Sequence, residues 1–215
     1  MDRRRVLKNM GMSLGYMVAT PTLLSIVQSC KSEPAITWTP EFLAQSQGNV
    51  LTKLVDIILP KTDTPSASEV QVDIFIDKFA QDVMEKEQQD FLKMSMTKFI
   101  DKALTDSGKE NAEDLTTEDL EPVLASSLKY TKDQQAEMFE TINSYTKAIS
   151  EGTTAEIDDE ISRFAFANNL RGMTIWGYKA SEYVGEEVLA YLPVPGEYVA
   201  CGDMQELTGG KAWSL

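Results

Sequence analysis

Apolar residues in this chain recur at intervals of three and four, and no stretch sustains the alternation of a half-buried strand. That periodicity restricts the chain to helices packed on helices. Thr39-Pro40 reads as a helix cap followed by proline at the first helical position, and Leu51, Leu54, Val55 and Ile58 then share one face until Pro60. Lys61 to Ser68, with Asp63, Pro65 and two serines, reads as a loop. Val72, Phe75, Ile76, Phe79 and Val83 form the next stripe. After the polar run Glu85 to Gln89, Leu92, Met96, Phe99 and Ala103 resume the spacing, and one long helix or two both satisfy the pattern. Gly108 and Asn111 interrupt it.

Thr116, Thr117, Glu118 and Asp119 read as a helix start, with Leu120, Val123, Leu124 and Leu128 behind them. Thr131 and Gln134 have the spacing of a capping box. Met138, Ile142, Tyr145 and Ile149 follow as a stripe, and Gly152 closes it. The spacing of Phe166, Leu170, Met173 and Gly177 predicts a long helix from about Ala155 past Trp176, with a short one between Ala180 and Tyr191. From Pro193 onward the chain is rich in proline and glycine. The expectation is an all-α fold: an irregular helical bundle of about five to seven helices, one domain over 39–215, with an extended C-terminal tail from about residue 193. No βαβ rhythm, glycine-rich phosphate loop or repeat is present.

Composition excludes several chemistries. Apolar residues make up 42% of the 215, enough for a core. The formal charge is −14. The first 29 residues contribute three net positive charges, so the part from Cys30 onward carries about −17. Such a chain repels phosphate backbones, and nucleic-acid binding is not expected. Histidine is absent, which removes the commonest general base and the commonest metal and haem ligand. With no histidine to serve as base, a Ser or Cys triad is excluded. The two cysteines, Cys30 and Cys201, form no CxxC motif. No cofactor is expected on this chain.

The N-terminus reads as an address. Arg3 and Arg4 occupy the twin positions of a twin-arginine export signal, Arg5 the variable one, and Leu7 and Lys8 match the pattern, while Asp2 and Val6 depart from it. The apolar run Met10 to Val27 carries Gly11, Gly15 and Pro21, which favours a cleaved signal over a permanent anchor of the same length. Cys30 stands where a lipoprotein signal ends, after Ser29, although Val27 and Gln28 are unusual there. Its acylation would tether the protein to a membrane, and a disulfide with Cys201 is the alternative. The division expected is a signal segment over 1–29 and a tether over 30–38. The location expected is the periplasm, reached by the twin-arginine route, with a lipid anchor on Cys30.

Candidate sites in the body are few. Asp158, Asp159 and Glu160 beside Glu156 could suggest calcium or a carboxylate pair, but the EF-hand spacing is missing and acids are favoured at a helix start. Asp63, Asp73 and Asp77 lie around the first loop, and a solvated face or a helix-start partner accounts for the last two better than catalysis. Arg163, Asn168, Asn169 and Arg171 sit within the last long helix. Trp176, Tyr178 and Tyr183 suit core packing or an interface anchor.

Two segments carry a resemblance. Asp56-Ile57-Ile58-Leu59-Pro60-Lys61-Thr62-Asp63-Thr64-Pro65-Ser66-Ala67, with Val72-Asp73-Ile74-Phe75-Ile76-Asp77 after it, resembles the small third subunit of gluconate 2-dehydrogenase. Gly177-Tyr178-Lys179-Ala180-Ser181-Glu182 and Leu189 to Tyr198 are similar to the family's ending, and Cys201 falls where members often have a cysteine. Ser66 stands where the family usually has glycine, and a Cys30 lipobox is not general in it. The resemblance spans about Leu51 to Cys201.

It implies a non-catalytic accessory subunit without flavin or haem. Such a subunit binds and stabilises an FAD-dependent sugar or polyol dehydrogenase of the glucose–methanol–choline type and carries it through twin-arginine export. A cytochrome c or another electron acceptor is then reached through the complex. The interface candidates are Asp63, Pro65, Asp73 and Asp77 in the first segment, and Tyr178, Glu182, Tyr191, Pro193, Pro195 and Tyr198 in the second. A stand-alone lipid-anchored periplasmic binding or scaffold protein is the first rival, and an enzyme working through carboxylates is the second.

Overall fold

The computed structural model describes residues 38–194, 196 and 201–214. Arg3, Arg4, Leu7, Lys8, Cys30, Pro195 and Tyr198 therefore lie outside the described residues. Seven α-helices are present among them: α1 Gln45–Ile58, α2 Val72–Asp82, α3 Lys86–Ser107, α4 Thr117–Leu128, α5 Lys132–Ser150, α6 Asp159–Ala180 and the short α7 Met204–Thr208. A 3₁₀ turn at Ala112–Asp114 and a π-helical turn at Val184–Val188 complete them. No described residue forms a strand, and Ala190 and Trp213 make one isolated parallel bridge. The fold is all-α, as the periodicity requires.

The helix boundaries have local causes. Thr116 and Asp119 close the start of α4, with the Thr116 amide 2.8 Å from the Asp119 carboxylate. Thr131 and Gln134 do the same for α5. Glu85 and Gln88 begin α3, so the stretch on either side of Glu85 to Gln89 is two helices. Gly108 ends α3 at φ 69°, a conformation in which a side chain would be strained. Asp158 caps α6 by accepting from the Glu160 amide at 2.7 Å, so the acidic cluster there is a helix start.

One expected start is elsewhere. α1 begins at Gln45 and not at Thr39-Pro40. The amides of Glu41, Phe42 and Leu43 all point to the buried carboxylate of Asp77, at 2.7 to 3.3 Å, and are held out of helical geometry. Gln47 then closes the true start by accepting from the Ala44 amide.

Helix α6 is the axis of the bundle and touches each of α1 to α5. Its small inward residues, Ser162, Ala165, Ala167 and Gly177, let neighbours approach, while Phe164, Phe166 and Leu170 fill the space between them. Phe99 of α3 and Phe166 pack with ring centroids 5.2 Å apart. Val50, Leu51, Leu54 and Val55 of α1 and Leu120 of α4 are almost wholly buried. Each such side chain stabilises by about 1.5–3 kcal/mol, and Leu54→Ala would cost about 2–5 kcal/mol. Helix α5 differs from the rest. Its stripe is present, but no residue of α5 is fully buried. Tyr145 leans on Phe91 at 5.4 Å and Phe139 on Phe164 at 5.2 Å.

Candidate partner interface

The first segment is built around a turn. Asp56, on α1, accepts from the Ser68 amide at 2.8 Å and from its hydroxyl at 2.7 Å. The Ala67 amide returns to the Leu59 carbonyl at 3.0 Å. Gln71 closes the turn at φ 62°, in the left-handed region, and passes the chain into α2. Ser66 is not in that region, so its backbone does not demand glycine. Its amide donates to Glu69 instead. The Lys61 ammonium and that amide hold the Glu69 carboxyl below its ordinary range.

The second segment lies against the first. The Tyr178 hydroxyl reaches the Pro65 carbonyl at 2.8 Å and the Thr64 hydroxyl at 3.0 Å. Gly177 faces the ring of Phe75 so closely that a Cβ there would lie 2.7 Å from Phe75 Cδ1. Trp176 meets Phe75 and Phe79 edge-on, with centroids 5.1 and 5.4 Å away. The two segments thus form one seam between the Asp56–Gln71 turn, α2 and the end of α6.

Asp73 and Asp77 are 3% and 1% exposed, so the solvated-face expectation for them is corrected. Asp73 accepts from Trp38 Nε1 at 3.0 Å and Thr52 Oγ1 at 2.6 Å, and Asp77 takes the three amides described above. The buried arc of α2 is rotated toward these carboxylates, because the incoming chain supplies the donors that burial of a charge requires. Phe75, Phe79 and Val83 are left at the outer edge. Pro65 and Tyr178 are half-buried in the seam, whereas Asp63, Glu182, Tyr191 and Pro193 are exposed. Trp176, Tyr183, Tyr191 and Leu192 each keep close to half of their surface in water, and Val194 keeps 79%. The chain returns beside them: the Ala190 amide donates to the Ala212 carbonyl, the Ser214 amide to the Ala190 carbonyl, and Trp213 is also half exposed.

Sequence reasoning missed Trp38 and Asp56 as parts of this frame. Asp56 carried a signal, since it opens the quoted motif, but nothing local announced the serine it would meet twelve positions on. It also missed a cleft of about 960 Å³ between α3, α5 and α6. No group of three or more Cys, Asp or Glu among the described residues could hold a metal ion. No described helix is long and apolar enough to cross a membrane. Cys201 is exposed.

The chain is therefore, by class, an all-helical protein whose motifs are spent on an internal seam bordered by exposed aromatic side chains. The model of the gluconate 2-dehydrogenase subunit 3 family matches residues 45–196, and the chain belongs to that family. By that description its members are subunits of a dehydrogenase. No curated protein and no solved structure matches the chain.

Proposed function

We propose that this chain is the non-catalytic accessory subunit of an FAD-dependent sugar or polyol dehydrogenase, which it binds, stabilises and carries out of the cytoplasm. The observation that carries the reading is the half-exposed aromatic edge beside the seam, in a chain of a dehydrogenase-subunit family. Half-exposed Trp and Tyr on a rigid frame are the residue types that anchor protein interfaces. Phe75 and Phe79 hold Trp176 in place before any partner arrives, which lowers the entropy cost of binding.

The N-terminal residues complete the role. Arg3, Arg4, Leu7 and Lys8 supply the twin-arginine address, and Cys30 supplies the lipid tether at the periplasmic face. A twin-arginine address suits cargo that is exported folded, and a flavoprotein assembled with its cofactor is such cargo. Electrons leave through other subunits, a cytochrome c among the candidates.

Fractionation tests the carrier role. The chain is produced with a dehydrogenase partner that has no leader of its own, and Arg3→Lys with Arg4→Lys is compared with the unaltered chain. Both proteins reach the periplasm in the unaltered strain, and both remain in the cytoplasm in the variant. A partner still exported beside the variant refutes the carrier role.

A further inference from the structure

Helix α5 is a long amphipathic helix without a buried residue. In a folded domain, a helix of that length draws most of its stability from packing its apolar face. Here Phe139 meets Phe164 and Tyr145 meets Phe91, and the rest of that face borders a cleft of about 960 Å³. Met84, Met94 and Phe166 line it on one side and Ile149 on the other, and Phe91 and Tyr145 meet across it with ring centroids 5.4 Å apart. Along α3 the lining runs from Glu85 to Ser95, about 15 Å of helix at 1.5 Å per residue. The cleft is thus a slot long enough for two to three turns of a further helix lying along it, over the Phe91–Tyr145 contact.

The charge at its mouth selects the occupant. Glu85, Glu87 and Asp90 line one lip. Asp90 is paired with Lys86 at 2.6 Å, and Lys147 on the facing wall has Glu151 at 3.9 Å, so Glu85 and Glu87 set the sign. An anionic lipid headgroup is repelled there, and so is a second copy of a chain whose net charge is −14. Phe79 and Val83 line both this cleft and the groove that runs beside Gly177, so the apolar surface continues toward Trp176. We propose that the slot between α3 and α5 receives an amphipathic helix of the dehydrogenase subunit, apolar on one face and bearing lysine or arginine where it passes Glu85 and Glu87. This rests on the partner reading above and adds the place and chemistry of the contact.

The test uses the full chain and its co-purified dehydrogenase. Hydrogen exchange is compared for the chain alone and in the complex, and a zero-length carbodiimide joins carboxylates to amines in contact. The expected result is slowed exchange in 84–95 and 143–150, with cross-links from Glu85 or Glu87 to a lysine on a helical segment of the partner. Ile149→Asp in the slot, and Asn143→Trp at its exposed rim, each weaken the complex about tenfold or more while helicity by circular dichroism is unchanged. A complex that forms with the slot unprotected, without those cross-links and at unchanged affinity in Asn143→Trp, overturns the slot and leaves the subunit reading standing. Cross-links to a second copy of this chain overturn it as well. Absence of any complex with the unaltered chain overturns both.

Discussion

Tyr178 donates its hydroxyl proton to the carbonyl oxygen of Pro65 at 2.8 Å, and the Thr64 hydroxyl lies 3.0 Å from the same phenolic oxygen. This contact joins the end of α6 to the turn before α2, two segments more than a hundred residues apart. Tyr178→Phe keeps the ring and removes the bond. It should lower stability by about 0.5–1.5 kcal/mol, read as a shift of the denaturant midpoint at unchanged slope. If the hydroxyl also positions the interface, partner affinity falls further than the loss of stability explains. An unchanged midpoint would mean that the seam is held by packing alone.

Gly177 gives the packing half of the same seam. Gly177→Ala places a methyl group 2.7 Å from Phe75 Cδ1, so the ring, and Trp176 against it, must move. Overpacking of this kind costs about 1–3 kcal/mol. Phe75→Leu in the same chain should recover part of the cost, and a double-mutant cycle on thermal unfolding measures the coupling. Additive effects would place the strain somewhere other than Phe75.

Asp77 is the anchor of the chain's entry into the bundle. Three consecutive amides, of Glu41, Phe42 and Leu43, converge on its carboxylate. Asp77→Ala strands them in a buried site and should cost about 3 kcal/mol or more. Hydrogen exchange at 41–43 should rise by orders of magnitude more than in α6. Equal acceleration everywhere would show global unfolding and no local anchor.

These residues also show where the sequence was legible. Helical spacing placed every long helix, and hydroxyl or acidic residues with a partner two or three positions on marked the starts of α4, α5 and α6. Those signals are local, and the sequence prints them next to each other. The start of α1 was lost because the amides of 41–43 are claimed by a carboxylate more than thirty residues away. Distant donors likewise hid the burial of both carboxylates, the amides of 41–43 for Asp77 and Trp38 and Thr52 for Asp73, since a carboxylate reads as solvent-facing until its donors are known. Tyr178 and Pro65 were both singled out, yet only the fold brings them together. The slot beside α5 was illegible for the opposite reason: the stripe of Met138, Ile142, Tyr145 and Ile149 looks the same whether or not a neighbour covers it.

Asp119 gives a prediction in pH. The Lys109 ammonium at 2.5 Å, then the Thr116 amide, hold its carboxyl at about 2, below the ordinary 3.8. A carboxyl depressed in the folded state stabilises in full above its unfolded value, and the contribution fades as pH falls from about 3.8 toward 2. Asp119→Asn should therefore be less stable by about 1–2 kcal/mol at neutral pH, with the gap closing below pH ~3. Urea midpoints measured from neutral to acid pH follow it. A gap that stays constant with pH would assign the effect to helix capping and not to the ion pair.

The proposed role of this chain is that of accessory subunit of a flavoprotein dehydrogenase. The most direct measurement is co-expression of the tagged full chain with a leaderless flavoprotein dehydrogenase of the glucose–methanol–choline type, followed by affinity purification and size-exclusion chromatography. The expected result is one complex that carries flavin absorbance and sugar or polyol oxidation activity, while the chain alone carries neither. A chain that elutes alone, with the dehydrogenase stable, active and exported in its absence, would contradict it.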